Sequence, residues 1–443
     1  MAVSVETAFL IFGGIIFIGY LGDLLSKRFA VPNVLLLLAI GYLLRLSGYA
    51  DAPSLSGIQG LFGSLALVML LFDGGLSLNI YNVLLKGGRV LLNSALITLL
   101  GILGSALFFL ILGFDPLIGA ILGAVAGGIG STTTISLIRS LPLPGSIRTF
   151  LTLESSITDI FSIILALVLT QALVSGSLNL LTVGQGIAAK FSVGIISGFI
   201  AGLLSLAALS RIEKGYNYMI TFAIVLMLYS MTEFLNGSGA IAVLMFGIVF
   251  GNEVAIKRLF RMGHEEHRPL VMQFQTEISF FIRTFFFVFL GIVVGLGSLA
   301  NFLIGAGYML FLCLIRHLSL SFSMRGDEEL SAYKSLLTAV NPRGLATAVL
   351  ATYPLLVVQD ALASAPDARL SLLLPQLASL PEISFYVIVL SVILTTVLVP
   401  LAMRKNHKKE ESLDEMQAEA ENEEESEQQE EEKEEQQPPE TWK

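Results

Sequence analysis

Residues 127–131 read Gly-Gly-Ile-Gly-Ser inside one long apolar segment, and residues 341–344 read Asn-Pro-Arg-Gly inside another. Clustered glycines weaken a helix, and a proline removes one of its hydrogen bonds. Unwound backbone at membrane depth is tolerated only where it is buried in protein or lines a wet cavity. Two such interruptions in separate halves of a chain are typical of secondary transporters built from inverted repeats, with a site near the bilayer midplane.

The composition indicates a membrane protein. Of the 443 residues, 54% are hydrophobic and 14% are charged, and the mean hydropathy is +0.79. Soluble domains carry about 25% charged residues. The apolar blocks are about 18 to 25 residues long, which suits helices that cross a hydrocarbon core of about 30 Å. The sequence therefore predicts an all-α membrane protein.

Thirteen hydrophobic segments are predicted. They cover roughly residues 5–25, 31–48, 57–78, 89–112, 116–139, 147–173, 183–208, 216–234, 238–252, 272–297, 299–322, 331–353 and 383–403. Basic residues follow the odd-numbered segments, from Lys27 and Arg28 after the first to Lys408 and Lys409 after the last. Because Lys and Arg accumulate on the cytoplasmic side, the N-terminus is predicted outside and the C-terminus inside.

The segments divide into two predicted repeats, at about 5–173 and 216–403. The pairing matches the two interrupted segments with each other. It also matches segment 3, which contains Asp73, with segment 10, which contains Gly291. We predict one transmembrane domain over 1–409 and a disordered acidic tail over 410–443. The tail holds 16 of the 35 acidic residues and only 2 of the 26 basic ones, and it lacks apolar periodicity.

Segment 6 carries the strongest candidate for an ion site. Asp159 lies about 11 residues from the basic loop at Arg148, or about 16 Å along a helix, which is close to the midplane. Ser155 and Ser162 lie four residues before it and three after it, so the three side chains share a helix face. Hydroxyl and carboxylate oxygens suit a small hard cation. One such carboxylate can hold either a proton or a cation. Competition of the two ions for this site, combined with alternating access, is sufficient for exchange.

Further ionisable residues inside the segments are functional candidates, because buried charges in a membrane are costly. We expect Glu154 to form a structural ion pair with Arg283, since an unpaired buried charge is unfavourable. Arg343, beside Pro342, is expected to support the unwound part of segment 12. Asp73 is placed at the site or at its cytoplasmic entrance. His264 and His267, in the basic loop after segment 9, are interpreted as solvated residues rather than a metal site.

Four motifs together resemble the monovalent cation–proton antiporter family, nearest to its electroneutral NhaP kind, over about residues 5–403. They are Phe-Asp-Gly-Gly-Leu at 72–76, the run from Glu154 to Asp159, Arg-Thr-Phe-Phe-Phe-Val-Phe-Leu-Gly at 283–291, and Pro-Arg-Gly-Leu at 342–345. The resemblance implies two crossing unwound helices in a core domain that moves against a dimerisation domain. The chain departs from the family pattern at Thr158, where Asn or Asp is usual, and at residues 131–134, where the usual Thr-Asp-Pro is absent.

The resemblance also implies roles for individual residues. Asp159 matches the ion-binding aspartate and Ser155 a ligating hydroxyl, while Asp73 stands where the family usually has Glu. Glu154 and Arg283 match a structural ion pair. The predicted ion and proton site comprises Asp159, Ser155, Thr158, Asp73, Thr132 and Thr133, with the monovalent cation at Asp159. A single titrating aspartate favours one proton per cation, hence electroneutral exchange.

The predicted function is therefore antiport of a monovalent cation, Na⁺ first and K⁺ or Li⁺ next, against H⁺. No phosphate-binding loop, dinucleotide fingerprint or nucleophile elbow occurs, so an ion gradient is the expected energy source and no enzyme activity or cofactor is expected. The alternatives are a gated K⁺ efflux protein and a sodium-coupled symporter of an organic anion on a similar scaffold. A homodimer in the inner cell membrane, surrounded by lipid and without nucleic acid, is expected.

Overall fold

The structure is a computed structural model that describes residues 5–29, 33–47, 52–78, 88–176, 180–209, 217–260, 268–293 and 298–435. Within these ranges the regular structure is helical. Several side chains inside the helices, including those of 52–62 and 405–435, lie outside the described part. His264 and His267 also lie outside the described residues, so their interpretation stays a prediction.

Seventeen helices cover the described ranges. They are α1 Val5–Phe29, α2 Asn33–Leu46, α3 Ala52–Ser77, α4 Gly88–Ile111, α5 Pro116–Gly127, α6 Ser131–Ser140, α7 Gly145–Ser175, α8 Leu180–Leu209, α9 Asn217–Phe234, α10 Gly239–Gly251, α11 Glu253–Leu259, α12 Arg268–Val293, α13 Leu299–Ser323, α14 Glu328–Ala332, α15 Lys334–Ala339, α16 Leu345–Ser364 and α17 Ala368–Glu435.

Among the described residues, seven helices are long and apolar enough to cross a membrane. Helices α10 and α11, which meet at an 80° bend, form either a broken span or a re-entrant loop, and five further apolar helices are shorter. These segments confirm a multi-pass helical membrane protein, while thirteen crossings and the orientation of the termini stay predictions. Residues 354–382, placed between spans by hydropathy, are mostly helical because α16 and α17 extend further than predicted.

The helices form two bundles. The crossing bundle contains both interrupted segments and comprises α4–α7, α13 and α15–α17; the flanking bundle comprises α1–α3, α8–α10 and α12. Contacts within each bundle are dense, and the bundles meet mainly where α3 touches α7 and α16. This division supplies two bodies that pack against each other along a limited seam.

Two helix pairs in the flanking bundle make similar close contacts at glycines. A Cβ on Gly75 of α3 would lie 2.8 Å from the Cα of Gly247 in α10, and one on Gly41 of α2 would lie 2.9 Å from the Cα of Gly291 in α12. The predicted repeat exchanges segments 2 and 9, and 3 and 10. The predicted repeat therefore maps the first helix pair onto the second, and the similar glycine contacts of the two pairs support it.

These contacts predict different results for two adjacent glycines. Gly75→Ala will lower the melting temperature of the purified protein, because the new Cβ meets rigid backbone of α10 at less than 3 Å. Gly74→Ala is the matched control, since its Cβ meets nothing within 4 Å and alanine favours helix. Thermal unfolding in detergent measures both variants. Equal melting temperatures would contradict the close approach of α3 and α10.

The predicted disorder of the acidic tail over 410–443 stays a prediction. Helix α17 continues through residues 410–435. That stretch contains no glycine or proline, and Glu, Gln, Ala and Lys are strong helix formers. A composition that cannot build a packed core is therefore still compatible with a single helix. The boundary of the transmembrane domain at residue 409 stays a prediction.

Candidate functional site

Two short extended stretches cross at the centre of the crossing bundle. Helix α5 ends at Gly127 and α6 begins at Ser131, while α15 ends at Ala339 and α16 begins at Leu345. The backbone N–H of Gly130 donates to the carbonyl oxygen of Pro342 over 2.9 Å. A Cβ on Gly130 would lie 2.8 Å from the nitrogen of Gly344, so glycine permits this approach. Both predicted interruptions are thus confirmed, and they face each other.

Asp159, on α7, lies against the start of α6, beside this crossing. Its Oδ2 accepts a hydrogen bond from the N–H of Ser131 over 3.1 Å. Asp159 is 8% exposed. A helix N-terminus presents free N–H groups and a partial positive charge, which favour a carboxylate there. The first turn of α6 thus positions the predicted ion-binding carboxylate.

The neighbouring hydroxyls on α7 have different roles. Thr158 donates to the carbonyl oxygen of Glu154 over 2.9 Å and accepts the N–H of Ile129 over 3.3 Å. Its hydroxyl therefore ties α7 to the extended stretch. Ser155 is buried and donates to the carbonyl oxygen of Thr152 over 3.1 Å, which leaves its lone pairs as acceptors.

Residues 131–133 lie close to the predicted site, but the residue that bonds Asp159 is Ser131. The site residues predicted from this run were Thr132 and Thr133. The side chain of Thr132 lies outside the described part, and Thr133 is half-buried. The family resemblance had implied oxygen ligands from the stretch around Ser131, Thr132 and Thr133, and Ser131 is the residue of this stretch whose N–H bonds the Asp159 carboxylate.

Asp73 belongs to α3 of the flanking bundle and is half-buried. Its carboxylate interacts electrostatically with Asp159 in the crossing bundle and with the guanidinium of Arg283 on α12. The structure thereby brings Asp73 to the seam between the bundles, near the predicted site. Arg283 lies near Asp73 at this seam, close enough for the two charges to interact.

The predicted ion pair between Glu154 and Arg283 is wrong. Glu154 pairs with Arg316 of α13, through Nη1 to Oε1 at 2.9 Å and Nη2 to Oε2 at 3.1 Å, and both side chains are fully buried. Asn93 of α4 donates to Oε1 of Glu154 over 2.7 Å, and Nε of Arg316 donates to the carbonyl oxygen of Leu337 over 2.9 Å. The pair therefore joins α4, α7, α13 and α15 within one bundle.

Arg343 lies at the crossing, where its support of the interrupted segment was predicted. Its Nη1 donates to the carbonyl oxygen of Gly128, and its backbone N–H donates to Oγ of Ser391 over 2.9 Å. Gly128 follows the C-terminal end of α5, where helix carbonyls carry partial negative charge. The positive charge of Arg343 thus compensates the C-terminal end of α5, as the negative charge of Asp159 compensates the N-terminal end of α6. The carbonyl oxygen of Pro342 accepts the N–H of Gly130.

The chain is similar to known proteins in both sequence and fold. The family model described as "Sodium/hydrogen exchanger, transmembrane" matches residues 13–404. The chain belongs to this family. It is 26% identical over 325 residues to a probable Na⁺/H⁺ antiporter 2 of Methanocaldococcus jannaschii, covering 68% of this chain and 73% of that protein.

Other relatives extend the comparison. The chain is 24% identical over 389 residues to a K⁺/H⁺ antiporter NhaP of Alkalimonas amylolytica, covering 83% of this chain and 62% of that one. The solved structure of the sodium proton antiporter MjNhaP1 from M. jannaschii matches with a TM-score of 0.72 at 21% identity, over 90% of this chain and 98% of that chain. The fold is therefore that of an NhaP-like antiporter.

Proposed function

We propose that the chain exchanges a monovalent cation for H⁺ at Asp159. The observation that carries this proposal is the position of the Asp159 carboxylate, which is nearly buried at the crossing and held by the first residue of α6. Burying a carboxylate at membrane depth is energetically costly, so its presence there indicates a function. Binding of either a proton or a monovalent cation neutralises the negative charge of the Asp159 carboxylate.

The proposed ion site combines oxygen ligands from both bundles. Asp159, Ser155 and Ser131 belong to the crossing bundle, and Asp73 belongs to the flanking bundle. Thr132, Thr133 and Thr158 stay candidates from the sequence; the Thr158 hydroxyl donates one hydrogen bond and accepts one in tying α7 to the extended stretch, which leaves one lone pair for an ion. A site between two bodies can be exposed to opposite sides when one body moves against the other, which is the arrangement that alternating access requires.

Na⁺ is the first candidate cation and K⁺ the second. The M. jannaschii relative is named a Na⁺/H⁺ antiporter and the A. amylolytica relative a K⁺/H⁺ antiporter, so their names support both. These names do not favour an organic anion symporter or a gated K⁺ efflux protein. We further propose a homodimer in the inner membrane, with the N-terminus outside and the C-terminus in the cytoplasm.

Everted membrane vesicles test the proposed function. A dye reports the proton gradient of energised vesicles while Na⁺, Li⁺, K⁺ or choline is added at pH values from about 6 to 9, a range in which a buried carboxyl can titrate. Vesicles that contain the protein are expected to lose the gradient on addition of at least one alkali cation and not of choline. Vesicles without the protein are the control. An identical response from both preparations would contradict antiport.

The stoichiometry provides a separate prediction. One carboxylate that holds either a proton or a monovalent cation moves no net charge per cycle, so exchange is expected to be electroneutral. Purified protein in liposomes, with ion gradients fixed and the voltage set by a K⁺ ionophore, measures this for Na⁺ exchange. We expect equal initial rates at inside-negative, zero and inside-positive potentials. A rate that follows the voltage would show that a second group carries charge.

A further inference from the structure

A cavity of about 630 Å³ lies between the two bundles, away from the crossing. Residues of α3, α8 and α9 line it from the flanking bundle, and residues of α7 and α16 line it from the crossing bundle. Leu67, Leu167 and Val349 are buried lining residues. Leu167 lies eight residues beyond Asp159, or about 12 Å along α7, so this apolar end of the cavity faces the proposed ion site. In the predicted orientation the cavity is on the external side.

One polar contact bridges this cavity from bundle to bundle. The Nζ of Lys190 on α8 lies 3.4 Å from Oε1 of Gln171 on α7, to which it donates a hydrogen bond. Both residues line the cavity, and Lys190 is exposed. This hydrogen bond joins the flanking bundle to the crossing bundle. Few other side-chain hydrogen bonds of the described residues run between the two bundles.

Each end of the bridge is fixed to its own bundle. The N–H of Ser238 donates to the carbonyl oxygen of Lys190 over 3.0 Å, which anchors Lys190 to the turn before α10. On the other side, Gln171 lies within α7 of the crossing bundle and lines the cavity together with Tyr353 of α16. Two residues further along α7, the carbonyl oxygen of Leu173 accepts a hydrogen bond from Arg369 of α17. The backbone of Lys190 is thus tied to the flanking bundle and the backbone beyond Gln171 to the crossing bundle.

We propose that Lys190 and Gln171 are positioning residues for transport, which hold the two bundles in the present arrangement and must part in every cycle. This inference rests on the proposed function, because it requires one bundle to move against the other. A side-chain contact of 3.4 Å does not survive a displacement comparable to one helical turn, about 5.4 Å. The bridge therefore favours one of two arrangements of the bundles.

A covalent bridge at this place tests the inference. In a Cys313→Ser parent, Lys190→Cys and Gln171→Cys are joined by a short bifunctional methanethiosulfonate. The control pair is Ser197→Cys with Thr232→Cys, whose native hydroxyls lie 3.1 Å apart on α8 and α9 within the flanking bundle. Cross-linking the first pair is expected to lower cation–proton exchange at least tenfold, with recovery on reduction. Cross-linking the second pair is expected to leave exchange unchanged.

A second measurement uses conservative variants without a reagent. Lys190→Met and Gln171→Leu each remove the bridge, so each is expected to change the maximal exchange rate by roughly two- to tenfold, in the same direction. The double variant is expected to match the single variants rather than multiply their effects, because both remove one interaction. A purely local structural role would alter the melting temperature and leave the maximal rate unchanged.

The outcomes separate the bridge from the proposed function. An inactive wild-type protein counts against antiport itself. If the wild type and the Cys313→Ser parent are active, and the cross-linked pair between the bundles remains active, the bridge does not restrain the moving parts and the inference fails. It also fails if the reagent joins the control pair but not the pair between the bundles, since the contact would then be absent in the membrane.

Discussion

Replacing Asp159 by asparagine will reduce cation–proton exchange to the level of protein-free membranes. Asparagine has nearly the same shape, and its amide oxygen can still accept the N–H of Ser131, so the crossing is expected to keep its geometry. What is lost is the charge that attracts the cation and the group that carries the proton. At an effective dielectric constant of about 20, two unit charges about 4 Å apart interact by about 4 kcal/mol. That energy corresponds to roughly a thousandfold in affinity.

Two measurements check this variant. Exchange in everted vesicles reports function, and melting in detergent with increasing cation concentration reports binding, because a ligand of the native state raises its stability. The Asp159→Asn protein is expected to melt near the wild-type temperature without cation and to gain no stabilisation from it. Cation-dependent stabilisation equal to that of the wild type would place the ion site elsewhere.

A matched control separates the position of the charge from the chemical change. The Oδ1 of Asp367 accepts a hydrogen bond from the N–H of Arg369 at the start of α17, and asparagine caps a helix as well as aspartate does. Asp367→Asn is therefore expected to retain full exchange. Loss of exchange in both variants would indicate that the measured effect is not specific to the crossing.

The features that the sequence predicted correctly are those determined by local chemistry. Glycines at 127–130 and the Asn-Pro-Arg-Gly stretch at 341–344 interrupt helices whatever surrounds them, so both breaks were found. Asp159 was selected because a carboxylate near the middle of an apolar segment is rare; the structure places it beside the crossing, and its role as the ion-binding residue stays a proposal. The pairing of segments 3 and 10 followed from the predicted division into two repeats and stays a prediction, which the similar contacts of Gly75 and Gly291 support.

The partner of Glu154 was not predicted, because the positions of residues along two helices do not fix how those helices rotate against each other. Arg283 was favoured for its depth in segment 10, yet α12 belongs to the flanking bundle and brings Arg283 to Asp73. Arg316 was overlooked inside segment 11, although an arginine within an apolar segment calls for a buried acid as its partner. This signal was present in the sequence.

Replacing Arg316 by methionine is expected to destabilise the protein strongly. Methionine leaves the carboxylate of Glu154 fully buried, with Asn93 as its described remaining donor, and it removes the donor to the Leu337 carbonyl oxygen. Removing one partner of a buried ion pair costs about 3–5 kcal/mol. Thermal unfolding in detergent, followed by size-exclusion chromatography, is expected to show a melting temperature lowered by several degrees. The single tryptophan, Trp442, lies in the tail, so its fluorescence is not the readout.

The double variant Glu154→Gln, Arg316→Met distinguishes a broken ion pair from a simple packing defect. The Glu154→Gln substitution removes the stranded charge and still offers a carbonyl oxygen to Asn93, so the melting temperature is expected to recover in large part. The same Glu154 substitution combined with Arg283→Met is the matched comparison, and we expect it to give no recovery, because Arg283 accompanies Asp73 on the other side of the seam. Rescue of Arg283→Met instead of Arg316→Met would restore the pairing inferred from the sequence and contradict the packing of α7 against α13.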